Sequence, residues 1–188
     1  MAENLEYNVE GSVCLDKKPA NCVTYGRLYD WVTAMALPAS CMKISCASQI
    51  SAKHQGICPS GWHIPSRDDW NILMKVANPS CSDNSNCADA ATKLKATSGW
   101  PWYSGSPGVP SGTDELGFSA LPGGYYNNGN TFSEGGTSGY WWSATEMGNG
   151  NIGYAYYRSM SWNGTHVTAH GMRGDSFMSI RCIKDNLF

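Results

Sequence analysis

Eight cysteines in a chain of 188 residues constrain this fold more than any other feature. Eight thiols permit 105 complete pairings. Three pairs are close in sequence and bracket polar, turn-forming stretches: Cys14 with Cys22, Cys41 with Cys46, and Cys81 with Cys87. Cys58 and Cys182 are left over, so the fourth bridge would staple two distant parts of the chain. Its loop of about 124 residues would remove roughly 4 to 5 kcal/mol of denatured-state entropy, against nearer 2 to 3 for each short loop. So many paired cysteines imply an oxidising compartment. Structural zinc fits poorly, because the local pairs are separated by seven, four and five residues without any Cys-x-x-Cys.

The segments around the long bridge carry local signals. In Cys58-Pro-Ser-Gly-Trp-His-Ile-Pro-Ser-Arg-Asp-Asp-Trp70, Ser66 is followed three residues later by Asp69, a capping-box-like helix start. Trp70, Leu73 and Met74 follow at helical spacing, giving a helix from about Ser66 to Val76. In Ser179-Ile-Arg-Cys-Ile-Lys-Asp185, Ile180, Cys182 and Ile183 read as a final strand.

These blocks continue through Met1-Ala-Glu-Asn-Leu5, Tyr25-Gly-Arg-Leu-Tyr-Asp-Trp31, Gly117-Phe-Ser-Ala-Leu-Pro-Gly-Gly-Tyr125, Gly139-Tyr-Trp-Trp-Ser-Ala-Thr-Glu146 and Ala155-Tyr-Tyr-Arg-Ser-Met160. In that order they resemble the Fibrobacter succinogenes major paralogous domain family, within the wider C-type-lectin-like group that includes the formylglycine-generating enzymes. The resemblance implies an α+β, C-type-lectin-like fold, with two to three helices in the N-terminal half. A twisted, mainly antiparallel sheet with long loops would fill the C-terminal half. It implies one domain over residues 1–188, excised from a longer precursor, on a bacterial secreted or cell-surface protein. No activity common to the family carries over, since function resides in sites rather than in scaffolds.

Composition points the same way. Charged residues make up 15%, while Gly (21), Tyr (10) and Trp (8) are abundant, as in a loop-rich aromatic chain. A net charge of −2 without any Lys/Arg run offers no footprint for nucleic acid. No apolar run approaches the roughly 18 residues of a membrane-spanning helix.

Tyr25 to Ala36 reads as the first helix, with Leu28, Trp31, Val32 and Met35 on one face. A short helical turn is expected over Ala88 to Ala96. From Thr97 onward Gly, Ser, Pro and Asn punctuate short aromatic strands, so the second half should be β and loop. Asn128-Gly129, Asn149-Gly150 and Asn163-Gly164 are tight-turn pairs.

Catalysis has little support. There is no Gly-x-Ser-x-Gly elbow, His-Glu-x-x-His or phosphate-binding glycine loop. The formylglycine-generating relatives need a reactive cysteine pair late in the chain, and after Cys87 only Cys182 remains. The chain therefore reads as a non-enzymatic binding or adhesion module. Trp100, Trp102 and Tyr103 lie in a Gly/Ser/Pro-rich stretch and are candidate sugar platforms. Trp162, Asn163, His166, His170 and Arg173 fall in a polar stretch at the end where lectin-like relatives display their binding face. Tyr154, Tyr156 and Arg158 alternate onto one strand face beside it, so Tyr156 joins the expected ligand surface. The partner would be polysaccharide, or alternatively a surface protein met by a structural subunit that binds no sugar, with a remote enzyme the least favoured reading. No cofactor is expected, although Asp114 and Glu115 could lend carboxylates to a structural calcium ion. Arg173-Gly174-Asp175 is an integrin-type tripeptide and Asn163-Gly164-Thr165 a glycosylation sequon, both too short to carry weight alone.

Overall fold

The architecture is organised by one long strand, β5 (Ser138–Glu146), whose two faces bury different sets of aromatic side chains. The structure is a computed structural model, and it describes residues 1, 3–101, 112–127, 131–148 and 150–185. Helices α1 (Pro19–Tyr25), α2 (Trp31–Ala34), α3 (Arg67–Ala77) and α4 (Ala90–Leu94) all lie in the first half. Strand β1 (Leu28–Asp30) is inserted between α1 and α2, and β2 (Trp62–His63) precedes α3. The second half supplies β3 (Tyr125–Tyr126), β4 (Phe132–Ser133), β5, β6 (Tyr154–Ser161), β7 (Val167–Arg173), β8 (Phe177–Ser179) and β9 (Ile183–Lys184). Among the described residues the main sheet runs β4-β3-β8-β5-β6-β7, with β1 also paired to β8. Its pairs are antiparallel except β5 with β8, and β2 with β9 forms a separate two-stranded ladder. The fold is thus α+β, with few helices and a curled mixed sheet.

The first expected helix, Tyr25 to Ala36, is instead a strand between two short helices. Gly26 breaks it, at φ +75°, where a Cβ would meet that of Asn4 at 2.6 Å. Leu28 to Asp30 then pair with β8, and Asp30 restarts the helix by accepting from the Thr33 amide at 2.9 Å. Sheet pairing here overrides an apparent helical period. Leu28, Trp31, Val32 and Met35 are buried all the same. The helix near Ser66 forms over Arg67–Ala77, with a reciprocal capping box between Ser66 and Asp69. The single final strand is replaced by β8 and β9, separated by a stretch that pairs with the N-terminus. The Leu5 amide donates to the Ile180 carbonyl at 2.8 Å, and the Met1 amino group donates to the Cys182 carbonyl at 2.8 Å.

The four disulfides join Cys14 to Cys22, Cys41 to Cys46, Cys58 to Cys182 and Cys81 to Cys87. The long one lies in a core with Tyr29, Trp31, Met35, Ile64, Trp142 and Met178. The opposite face of β5 carries Trp141 into a second core with Trp70, Met74, Leu94, Trp100 and Met160. Indole nitrogens of both layers are satisfied internally: Trp31 donates to the Ser143 carbonyl, Trp142 to the Tyr29 carbonyl and Trp141 to Asn4 Oδ1. Buried indoles bonded in this way lock the two layers in register.

Candidate functional site

Antiparallel pairing places Tyr157 opposite both Trp142 on β5 and His170 on β7. Residues two apart on a strand share a face, so Tyr140, Tyr157 and His170 stand on one side of the sheet. Tyr125 joins them from β3. The four rings form a row across the sheet: Tyr125 to Tyr140 at 4.9 Å between centroids, Tyr140 to Tyr157 at 5.8 Å, and Tyr157 to His170 at 6.1 Å. Tyr140 is nearly buried, Tyr125 and Tyr157 are half-buried, and His170 is exposed. Close approach of β3 to the sheet depends on Gly124, at φ +62°, where a Cβ would lie 2.5 Å from the Ser133 carbonyl.

Glu134 supplies charge beside the Tyr140 ring. It sits at φ +56° in the tight turn between β4 and β5, where its carbonyl accepts from the Thr137 and Ser138 amides. Its carboxylate accepts from the Tyr140 hydroxyl at 2.7 Å. Burial, and then the hydrogen bond and charge of Glu134, raise the Tyr140 phenol well above its ordinary value. Burial, with Tyr125 and Glu134 nearby, raises Tyr157 as well. Both hydroxyls therefore remain protonated donors. Among the described residues, no ion pair includes Glu134.

The residues singled out in the sequence do not assemble into one patch. Tyr156 and Arg173 face away from His170, because Tyr156 pairs with Gly171 and Tyr154 with Arg173 while Tyr157 pairs with His170. Tyr154, Tyr156 and Arg158 do share a face, but it packs against α3. The Arg67 guanidinium lies 3.7 Å above the Tyr156 ring, and Arg158 is buried against the Ser85 carbonyl and Asn71. Trp100 is no surface platform. It is 6% exposed, its indole donates to the Ala120 carbonyl at 2.8 Å, and the Lys95 ammonium sits 4.9 Å from its ring. Trp102 and Tyr103 lie outside the described residues.

The polar stretch after β6 is not a single loop, since β7 runs through its middle from Val167 to Arg173. Its turn is tied down, with Lys95 Nζ donating to the Ser161 and Gly164 carbonyls and the Ala91 amide to that of Thr165. Trp162 is half-buried against the second core. Asn163 is exposed and accepts from the Ser161 hydroxyl, and His166 is exposed in the turn. Arg173 forms an ion pair with Asp175 at 2.7 Å, so that tripeptide is folded on itself. Asp114 accepts from the Ser119 amide and hydroxyl, and Glu115 accepts from Thr113 and lies 3.9 Å from Lys93. Among the described residues no group of three or more His, Cys, Asp or Glu is placed to hold a metal ion.

Away from the tyrosine row, a concavity of about 670 Å³ lies between α3 and the β2–β9 ladder. Ile72, Val76 and Leu116 on its walls are each more than a third exposed. At its polar end His63, 3% exposed, holds Asp185 by Nδ1 at 2.7 Å, while its Nε2 lies 3.5 Å from Asp69 and makes no hydrogen bond. This contact clamps β2 to β9, and Lys53, Arg181 and Lys184 line the same cleft beside its apolar walls.

The tyrosine row could have been found in the sequence only in part. Ala155-Tyr-Tyr-Arg158 alternates onto two faces, and nothing local says which of them is solvated. Tyr125 and Tyr140 follow glycines in motifs that read equally well as scaffold. No curated protein and no solved structure matches the chain. The family model described as the Fibrobacter succinogenes major domain matches residues 1–184. With that match spanning nearly all of the sequence that builds these two cores and the sheet between them, the chain belongs to the Fibrobacter succinogenes major domain family.

Proposed function

We propose that this domain is a non-enzymatic, lectin-like binding module of a secreted or cell-surface protein, recognising polysaccharide through the tyrosine-lined face of its sheet. The observation that carries the reading is the row Tyr125–Tyr140–Tyr157–His170, in which half-buried Tyr125 and Tyr157 and exposed His170 accompany the buried Tyr140, whose hydroxyl donates to a carboxylate. Apolar sugar faces stack on such rings, and sugar hydroxyls pair with phenols and carboxylates. Stacking on one ring contributes about 1 kcal/mol, so single-site affinity is modest and repeated ligand units raise it. Paired chain ends, a capped helix before the sheet and two cores on one curled sheet support a C-type-lectin-like architecture. Four disulfides fit a secreted or extracellular protein. Among the described residues no helix is long and apolar enough to cross a membrane.

A second reading, a surface subunit that recognises protein, draws on the exposed Ile72, Val76 and Leu116 around the other cleft. A glycan array separates the two. Reproducible polysaccharide binding that is lost in Tyr157→Ala supports the tyrosine face, whereas silence across the array moves function to a protein partner.

A further inference from the structure

We infer that the tyrosine face selects glycans bearing free amino groups, with the Glu134 carboxylate receiving the ammonium of a 2-amino sugar while Tyr125 and Tyr157 carry the pyranose ring. The inference rests on the binding reading above and narrows its ligand. Glu134 is exposed, takes part in no ion pair among the described residues, and is held toward the rings by the Tyr140 hydroxyl at 2.7 Å. Its turn is pinned by two backbone hydrogen bonds, so the carboxylate stays aimed at the row without reorganising when ligand arrives. The rings around it present electron-rich faces, and a cation beside a carboxylate and over tyrosine is favoured by both. Tyr125 packs edge to face on Tyr140 at 4.9 Å and an interplanar angle of 60°, a contact that fixes the orientation of the half-buried Tyr125 ring. A neutral sugar would gain stacking and hydroxyl contacts there but would leave the Glu134 carboxylate without a cation. An amino sugar satisfies it. The row spans β3, β5, β6 and β7, a width that fits consecutive sugar units, with Glu134 hydrogen-bonded to Tyr140, its second ring, and exposed His170 at its β7 end.

The test is titration calorimetry of the whole domain with three tetramers of one linkage: β-1,4-linked glucosamine, N-acetylglucosamine and glucose. The free-amine tetramer is expected to bind about tenfold tighter than either neutral one, and about 0.5 M salt should shrink that gap. Glu134→Gln should bring the glucosamine tetramer down to the level of the neutral tetramers, and Tyr140→Phe, which removes only the hydroxyl orienting Glu134, should reduce the gap in part. Equal binding of all three tetramers overturns amine selection while leaving the polysaccharide reading standing. Binding of none overturns both. A gap that survives Glu134→Gln shows the amine to be read elsewhere, and tighter binding of a lysine-rich peptide than of any tetramer shows the cationic partner to be protein; either result overturns the inference.

Discussion

Arg181 donates to the side-chain oxygen of Asn4, 177 residues away, from Nε at 3.1 Å and from Nη2 at 2.7 Å. The same oxygen accepts from the Trp141 indole at 2.8 Å, and the Asn4 amide nitrogen donates to the Tyr25 carbonyl and to Ser179. One small amide therefore joins the N-terminal segment, the long strand and the C-terminal stretch. Burial lowers the Arg181 pKa to about 9, with Asp114 and Glu3 opposing that shift, and the guanidinium rests 4.2 Å from the Phe118 ring centre.

Asn4→Ala removes an acceptor from a buried cation and from a buried indole at once. Leaving such donors unsatisfied costs about 3 kcal/mol or more. Denaturant melts should show that loss, with Asn4→Asp less damaging because it keeps the acceptor and adds an opposite charge. A loss below about 1 kcal/mol in Asn4→Ala would contradict this account.

Replacing Cys58 and Cys182 together by serine should destabilise by about 4 to 5 kcal/mol, against about 2 to 3 for any local pair. The loop it closes spans 124 residues, where the others span 5 to 8. Comparable melting losses for all four pairs would refute the ranking.

Lys95 gives a pH signature. It is 2% exposed, and burial lowers its pKa to about 8 from the ordinary 10.5. Below pH 8 the folded and unfolded chains both hold the proton. Between pH 8 and 10.5 the unfolded chain keeps a proton that the folded chain has released, so this site's contribution to stability rises with pH. Relief of the buried charge amounts to roughly 3 kcal/mol in full. Tyr140 and Tyr29, whose pKa values are raised, oppose the trend only above pH 10. The stability of wild type relative to Lys95→Met should thus be flat from pH 6 to 7.5 and climb from pH 8 to 10. A difference that falls over the upper range would overturn it.

Trp162→Ala should cost about 1 to 3 kcal/mol of stability, because the ring packs on the second core beside Lys95's turn. Glycan affinity should be unaffected, since Trp162 lies on the α4 side of the sheet and the tyrosine row on the other. Lost binding with an unchanged melt would return the ligand surface to the β6–β7 turn.

What the sequence determined by itself was local or topological in kind. The capping box at Ser66 and Asp69, the helical spacing of Trp70 and Met74, and the β texture after Thr97 depend on neighbours within a few residues. The disulfide pairing followed from spacing because three short loops left only one long partner. Long motifs carried the family because each stretch keeps its scaffold role. Tertiary structure decided the rest. Leu28 to Asp30 became a strand because β8 was there to pair with, and Asn4 acquired its role only when Arg181 and Trp141 came within hydrogen-bond reach. The proposed ligand surface depended on how β6 was covered: α3 took the Tyr156 side, while the first core covers the Tyr157 side only in part, leaving Tyr157 half-buried and His170 exposed. Alternation along a strand names two faces, and only the packing of distant elements chooses which of them meets water.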